Sequence, residues 1–145
     1  TRSSGYSALT KFHLECLAEL SGLGIKRETL LKNAATFLFA ENFLQDQNRL
    51  QAFIKATCAM KQSAQGYAGQ FAASSTHNAD AILQNIRAPT MVVAGSDDIL
   101  IPPRLSQALH ELIPHSDYQE IRACGHMPTW EQPEVFVEWL KSFLL

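Results

Sequence analysis

Two polar residues in the second half of the chain are of types that can act together in catalysis. Asp98 lies in the loop Gly-Ser-Asp-Asp, which follows the apolar run Thr-Met-Val-Val-Ala at residues 90–94. His126 lies in the segment Ala-Cys-Gly-His-Met-Pro, just before a predicted helix. A carboxylate that accepts a hydrogen bond from one imidazole nitrogen fixes the tautomer, which leaves the other nitrogen free to act as a general base toward a nucleophile. These residue types therefore indicate base-assisted nucleophilic catalysis, provided that the fold brings them together.

The elements that would position this pair alternate between strand and helix from Pro89 onward. Residues 90–94 are continuously apolar, which is typical of a strand buried on both faces of a parallel sheet. A helix with one apolar stripe follows and is ended by Pro114, and residues 117–122 predict a second strand near a sheet edge. The last helix carries five apolar residues at core spacing: Phe136, Trp139, Leu140, Phe143 and Leu144.

This β-α-β-α order explains how two loops far apart in sequence can meet. Parallel strands joined by a helical crossover end at the same edge of the sheet, where ligand sites of open α/β sheets lie. Neighbouring strands are only about 4.8 Å apart. Asp98 follows the first strand and His126 follows the second, so we expect the carboxylate and the imidazole to lie side by side.

Residues 1–85 predict helices throughout. Apolar stripes at helical spacing recur along this region, Asp46 is a candidate N-cap, and the fourth helix is weakened by Gly66 and Gly69. Three phenylalanines of this region could line an alkyl pocket, although structural packing is the favoured interpretation: Phe37, Phe39 and Phe43. Four other histidines have no recognisable partner in the sequence and receive no role: His13, His77, His110 and His115.

Two quoted segments carry a resemblance to a known family. The chain resembles the C-terminal part of an α/β-hydrolase in two segments, PTMVVAGSDDILIPP and CGHMPTWEQPEVFVEWLKSFL, and in the amphipathic helix and strand between them. The resemblance covers residues 86–145 strongly, and residues 1–85 resemble the helical cap or lid that many members insert. It implies an α/β fold class, with a cap at residues 1–85 followed by a C-terminal core unit with parallel strands at residues 86–145.

The resemblance also implies roles for individual residues. Asp98 matches the acid of the family's catalytic triad, His126 matches the general base, and Asp97 is expected to cap or brace the turn. Two further expectations come from the residues themselves and not from the resemblance. Met127 is predicted to pack beside the histidine loop and, as a secondary interpretation, to contact the substrate. Glu131 is expected to support the start of the last helix, where the helix dipole favours a carboxylate.

The same residues also have simpler interpretations. An isolated Asp-Asp is usually a solvated turn, and an isolated Gly-His usually has no function; only their order and position on strand ends favour the triad. Cys124 and His126 do not make a metal site, because a zinc site needs a third and a fourth ligand in register. We therefore expect no metal and no cofactor.

The nucleophile is not found in the sequence. The family places it before the acid, on a Gly-x-Ser-x-Gly turn, and no such pentapeptide is present. The nucleophile is therefore expected outside this chain, and either the N-terminal half of a hydrolase or self-association is the expected partner. A serine nucleophile implies an esterase, lactonase, thioesterase or carbon-carbon hydrolase of a small carbonyl substrate. An aspartate nucleophile implies an epoxide hydrolase or dehalogenase. If the triad residues do not catalyse a reaction, the protein is instead a binding or receptor module.

Composition limits the other function classes. The 145 residues are 46% hydrophobic and carry a formal net charge of -2, with no basic patch that favours nucleic acid. No apolar stretch approaches the roughly 20 residues that a membrane helix needs. The 3 cysteines are far apart and odd in number, which favours a reducing compartment, with the cytoplasm as the expected location.

Overall fold

The computed structural model describes residues 6–60 and 63–145. None of the helices in these two ranges is long and apolar enough to cross a lipid bilayer. In chain order the elements are α1 (Ala8–Gly22), α2 (Arg27–Leu38), α3 (Glu41–Gln45), α4 (Gln47–Ala59), α5 (Ala64–Thr76), α6 (Asp80–Leu83), β1 (Thr90–Gly95), α7 (Pro103–Leu112), β2 (Ser116–Ile121), α8 (Pro128–Glu131) and α9 (Pro133–Leu144).

The second half of the chain has the predicted β-α-β-α order. β1 and β2 pair in parallel, with a register that runs from Thr90 opposite Ser116 to Gly95 opposite Ile121, and α7 is the crossover helix. A small apolar cluster holds the helix on the sheet: Leu83, Val92, Leu109 and Ile113. Three of the six residues of β2 are exposed and one, Ile121, is buried, in keeping with the strand's poorer apolar content. Both strands therefore end at one edge, as the crossover requires.

A second apolar cluster organises the helical half. Its buried members come from α2, α3, α4 and the residue after α2: Ala35, Phe39, Phe43, Phe53 and Ile54. Asp46 caps α4 by accepting the N–H groups of Asn48 and Arg49, each at 3.1 Å, as predicted. Phe39 and Phe43 stack on each other inside this cluster, and Phe37 stacks on His13. Packing is thus the role that the structure shows for these phenylalanines.

The last helix forms where predicted, but the expectation that its apolar stripe is core is wrong within this chain. α9 contains no buried residue, and Leu144 is 68% exposed. Phe136, Leu140 and Phe143 instead line an open groove of about 460 Å³ together with Met91 and Val93 of β1. Burial needs an opposing surface as well as an apolar stripe, and the described part of the chain does not fill this groove.

Candidate active site

The structure brings Asp98 and His126 together at the ends of the two strands. Asp98 Oδ2 lies 2.8 Å from His126 Nδ1, and Asp98 Oδ1 accepts the backbone N–H of Ile101 at 2.8 Å. Asp98 is only 7% exposed. Because a carboxylate can only accept, Nδ1 carries the proton in this arrangement, and Nε2 is the nitrogen left to receive one. The His126 side chain is 29% exposed and lines two neighbouring hollows, so the ring remains accessible.

Asp97 occupies a different place in the same turn. Its side chain is exposed, and its Oδ1 accepts the Ser96 hydroxyl at 2.7 Å. Its backbone N–H donates to the carbonyl of Cys124 at 2.9 Å, and Ser96 Oγ accepts the N–H of Ala123 at 2.9 Å. The Asp97 turn is thereby attached to the histidine loop, while the carboxylate that reaches the imidazole belongs to Asp98.

Two glycines let the backbone segments of the site approach closely. A Cβ on Gly95 would lie 2.1 Å from the carbonyl oxygen of Gly125, and a Cβ on Gly125 would lie 2.8 Å from the nitrogen of Ala40. Both separations are too short for real atoms, so each position requires glycine. The end of β1, the histidine loop and the segment after α2 therefore stack directly on one another.

Glu131 does not support the last helix, and that expectation was wrong. It ends the separate short helix α8, and α9 begins at Pro133. Its carboxylate is 6% exposed and accepts backbone N–H groups from Gly125, Met127 and Ala40 at 2.9–3.2 Å. The sequence contained no signal for this role, because Ala40 is 91 positions upstream of Glu131.

A cavity of about 590 Å³ opens beside His126. Apolar residues from α1 and from the Asp98 loop form one part of its lining: Leu14, Leu100 and Ile101. The α5 residues Gln70, Ala73 and Ser74 form another part, together with His77, which follows α5, and Tyr6, whose hydroxyl is hydrogen-bonded to Ser74. Sequence reasoning missed these polar lining residues, since only packing decides which face of α5 meets the cavity.

Met127 lies outside the cavity beside His126. It packs, half-buried, against the cluster around Phe39 together with Trp130, and it is not among the residues that line the cavity. Its packing beside the histidine loop agrees with the expectation, and its contact with a substrate stays a prediction.

Cys124 is unsuited to reaction. It is completely buried, and this burial, followed by the nearby charge of Glu131, raises the pKa of the thiol to about 12. The thiol therefore stays protonated at neutral pH, whereas nucleophiles and metal ligands need the thiolate. Within residues 6–60 and 63–145 no three His, Cys, Asp or Glu side chains cluster in a way that could hold a metal ion.

Comparison with known proteins shows similarity to hydrolases. A protein of Caulobacter vibrioides named "Putative carbamate hydrolase RutD" is 40% identical over 65 residues, which cover 45% of this chain and 24% of that protein. The 2-hydroxy-6-oxononadienedioate/2-hydroxy-6-oxononatrienedioate hydrolase of Paraburkholderia phymatum is 27% identical over 104 residues, covering 72% of this chain and 32% of that enzyme.

A solved structure has the same fold. The α/β hydrolase enzyme MGS-M2, from a Medee basin deep-sea metagenome library, superposes with a TM-score of 0.83 at 18% identity and covers 99% of this chain. This chain covers 53% of MGS-M2, so it spans about half the length of that structure and still less of its curated relatives.

The match to a family model covers more of this chain than either of the two pairwise sequence alignments. The model for the alpha/beta hydrolase fold matches residues 25–133, a range that includes α2, both strands, Asp98 and His126. It extends over well more than half of the chain and across both the helical region and the sheet. The chain therefore belongs to the α/β-hydrolase fold family.

Proposed function

We propose that the complete protein is a hydrolase in which Asp98 is the acid and His126 the general base of a catalytic triad. The hydrogen bond between Asp98 Oδ2 and His126 Nδ1, at 2.8 Å, carries this proposal. His126 Nε2 takes the proton of a nucleophile that attacks the substrate, and returns it to the leaving group. In the second half-reaction the same nitrogen takes a proton from water, whose oxygen attacks the covalent intermediate, and then gives that proton to the departing nucleophile.

The proposed substrate is a small carbonyl compound, and the proposed nucleophile is a serine. The cavity beside His126 has about 590 Å³, within the roughly 300–1,000 Å³ usual for small-molecule sites. Its lining combines apolar side chains with polar ones, which suits an ester, a lactone, a thioester or a carbon-carbon bond beside a carbonyl. The names of the relatives, a carbamate hydrolase and a hydrolase of oxo-dienedioates, support hydrolysis at a carbonyl carbon.

We also propose that the nucleophile reaches His126 from a segment outside this chain, an N-terminal half that docks beside β1. The groove of about 460 Å³ next to β1 contains both Asp98 and His126 in its lining, along with apolar residues of α9. A strand added at the free edge of β1 would cover these apolar residues and end close to the imidazole. Cys16, Cys58 and Cys124 are free thiols, which supports a reducing compartment such as the cytoplasm.

Labelling of the full-length protein with a fluorophosphonate tests the proposal. This reagent phosphonylates an activated serine, so we expect one labelled serine outside residues 1–145, and loss of labelling in the His126→Ala variant. If the fluorophosphonate labels no serine but an epoxide or a haloalkane leaves an alkyl ester on an aspartate, the protein is an epoxide hydrolase or a dehalogenase. Absence of any covalent label, with a ligand bound in the cavity, would show a binding or receptor module and would overturn the proposal.

A further inference from the structure

Glu131 and the carbonyl of Leu38 together satisfy three successive backbone N–H groups around the candidate base. The N–H of Gly125 donates to both Glu131 carboxylate oxygens at 2.9 and 3.0 Å, and the N–H of Met127 donates to Oε1 at 3.2 Å. The N–H of His126 itself donates to the carbonyl of Leu38 at 2.8 Å. The backbone on both sides of His126 is therefore held by one carboxylate.

The same carboxylate also reaches the helical half of the chain. Its Oε2 accepts the N–H of Ala40 at 2.9 Å, just before α3. Arg49 strengthens this connection from α4, because its guanidinium donates to the backbone carbonyls of Trp130 and Glu131. Glu131 thus connects the histidine loop to the segment between α2 and α3, and Leu38, the last residue of α2, accepts the His126 N–H.

Burying this carboxylate is costly unless hydrogen bonds replace its water. Glu131 is 6% exposed, and in the described part of the chain no lysine, arginine or histidine forms an ion pair with it. Four short contacts from three N–H groups compensate for the lost hydration, and both oxygens act as acceptors. A glutamine of the same shape has only one acceptor oxygen, and its NH₂ group would face an N–H.

We propose that Glu131 is the positioning residue of His126. By fixing the backbone at Gly125 and Met127 it directs the imidazole so that Nδ1 stays on Asp98 and Nε2 stays available to the cavity. Its catalytic consequence rests on the proposed function, but its effect on the imidazole does not. Glu131 contacts no substrate in this scheme, and it acts entirely through the backbone of the loop.

The test compares Glu131→Gln with Glu134→Gln in the full-length protein. Glu134 is exposed in the first turn of α9, so its substitution makes the same charge change without touching the loop. We expect Glu131→Gln to lower kcat about 10²-fold with KM nearly unchanged, since small misplacements of catalytic groups cost about this much. We also expect the low-field NMR signal of the His126 Nδ1–H to broaden or vanish in Glu131→Gln and to persist in Glu134→Gln.

A purely structural role predicts a different result. If Glu131→Gln lowers Tm but leaves both kcat and the Nδ1–H signal intact, the positioning role is wrong. If Glu131→Gln does not fold, Glu131→Asp is the alternative variant, because it keeps the negative charge but has a side chain shorter by one methylene. It should remain folded and show the same losses of kcat and of the His126 Nδ1–H signal. If the wild-type protein hydrolyses nothing, the proposed function fails, and the NMR signal still decides the role of Glu131.

Discussion

The carboxylate of Asp98 bridges the imidazole of His126 and the backbone of its own loop. Oδ2 lies 2.8 Å from His126 Nδ1, while Oδ1 accepts the N–H of Ile101 at 2.8 Å. One oxygen is therefore anchored by a group that does not depend on the histidine. Asp98 can hold the ring because its own orientation is already set by its loop.

If the proposed function holds, Asp98→Asn should reduce the turnover of the full-length protein by about 10⁴-fold, the loss caused by the equivalent change in a serine protease, because the tautomer is no longer fixed. His126→Ala should remove nearly all turnover. Asp97→Asn is the matched control: Asp97 is exposed, so most activity should remain. Steady-state kinetics with activated esters measures all three, and an Asp97→Asn defect as large as that of Asp98→Asn would reassign the acid.

Gly95→Ala should destabilise the protein by about 3 kcal/mol or more, at the upper end of the usual cost of overpacking. The added Cβ would lie 2.1 Å from the carbonyl oxygen of Gly125, and that oxygen belongs to backbone, which cannot easily move aside. Gly69→Ala, inside α5 with no atom within 4 Å of the new Cβ, should instead stabilise the protein by up to about 1 kcal/mol. Denaturant unfolding of both variants checks the pair, and equal effects would contradict the close approach.

Cys124 should resist alkylation in the native protein while Cys58 reacts. Burial raises the pKa of the Cys124 thiol to about 12, whereas Cys58 is exposed on α4. Iodoacetamide at pH 8 followed by peptide mass spectrometry measures both sites, and unfolding should make Cys124 reactive. Cys124→Ser should also retain most turnover. Rapid native labelling of Cys124, with loss of activity, would favour a thiol mechanism instead.

The His13 side chain should make stability depend on pH. Its burial lowers its pKa below the ordinary value of 6.5. Below pH 6.5 His13 is therefore protonated in the unfolded state while it is still neutral in the folded state. Its contribution to the free energy of unfolding is complete above that pH and is lost on acidification. We expect the free energy of unfolding of wild type to fall more steeply from pH 7 to pH 5 than that of His13→Gln. Parallel curves for the two proteins would contradict the effect.

Residues 1–145 expressed alone should self-associate and should not hydrolyse p-nitrophenyl esters. β1 has an unpaired edge in the described chain, and apolar residues of α9 remain exposed beside it. Analytical ultracentrifugation measures the association, and adding the separately expressed N-terminal half should replace it with a heterodimer. A folded monomer with ester hydrolysis that Ser74→Ala abolishes would contradict this expectation, because Ser74 lines the cavity beside His126.

The local sequence determined the two strands, the longer helices and the loops on which the candidate acid and base lie. Strand β1, the cap at Asp46 and the end of α7 before Pro114 depend on residues within a few positions of each other, so patterns along the chain are sufficient to predict them. Parallel pairing brings the loops that carry Asp98 and His126 to the same place, because both strands must end at one edge.

Only the tertiary structure decided which distant groups complete the site. The partners of Glu131 are backbone N–H groups, which every residue but proline possesses, so no side-chain pattern marks Ala40 in advance. The face of α5 that places Gln70 and Ser74 in the cavity, and the exposure of α9, likewise depend on surfaces that lie opposite them. Hydrogen bonding and burial between remote segments are properties of the assembled fold, whereas helix and strand formation are largely properties of neighbouring residues.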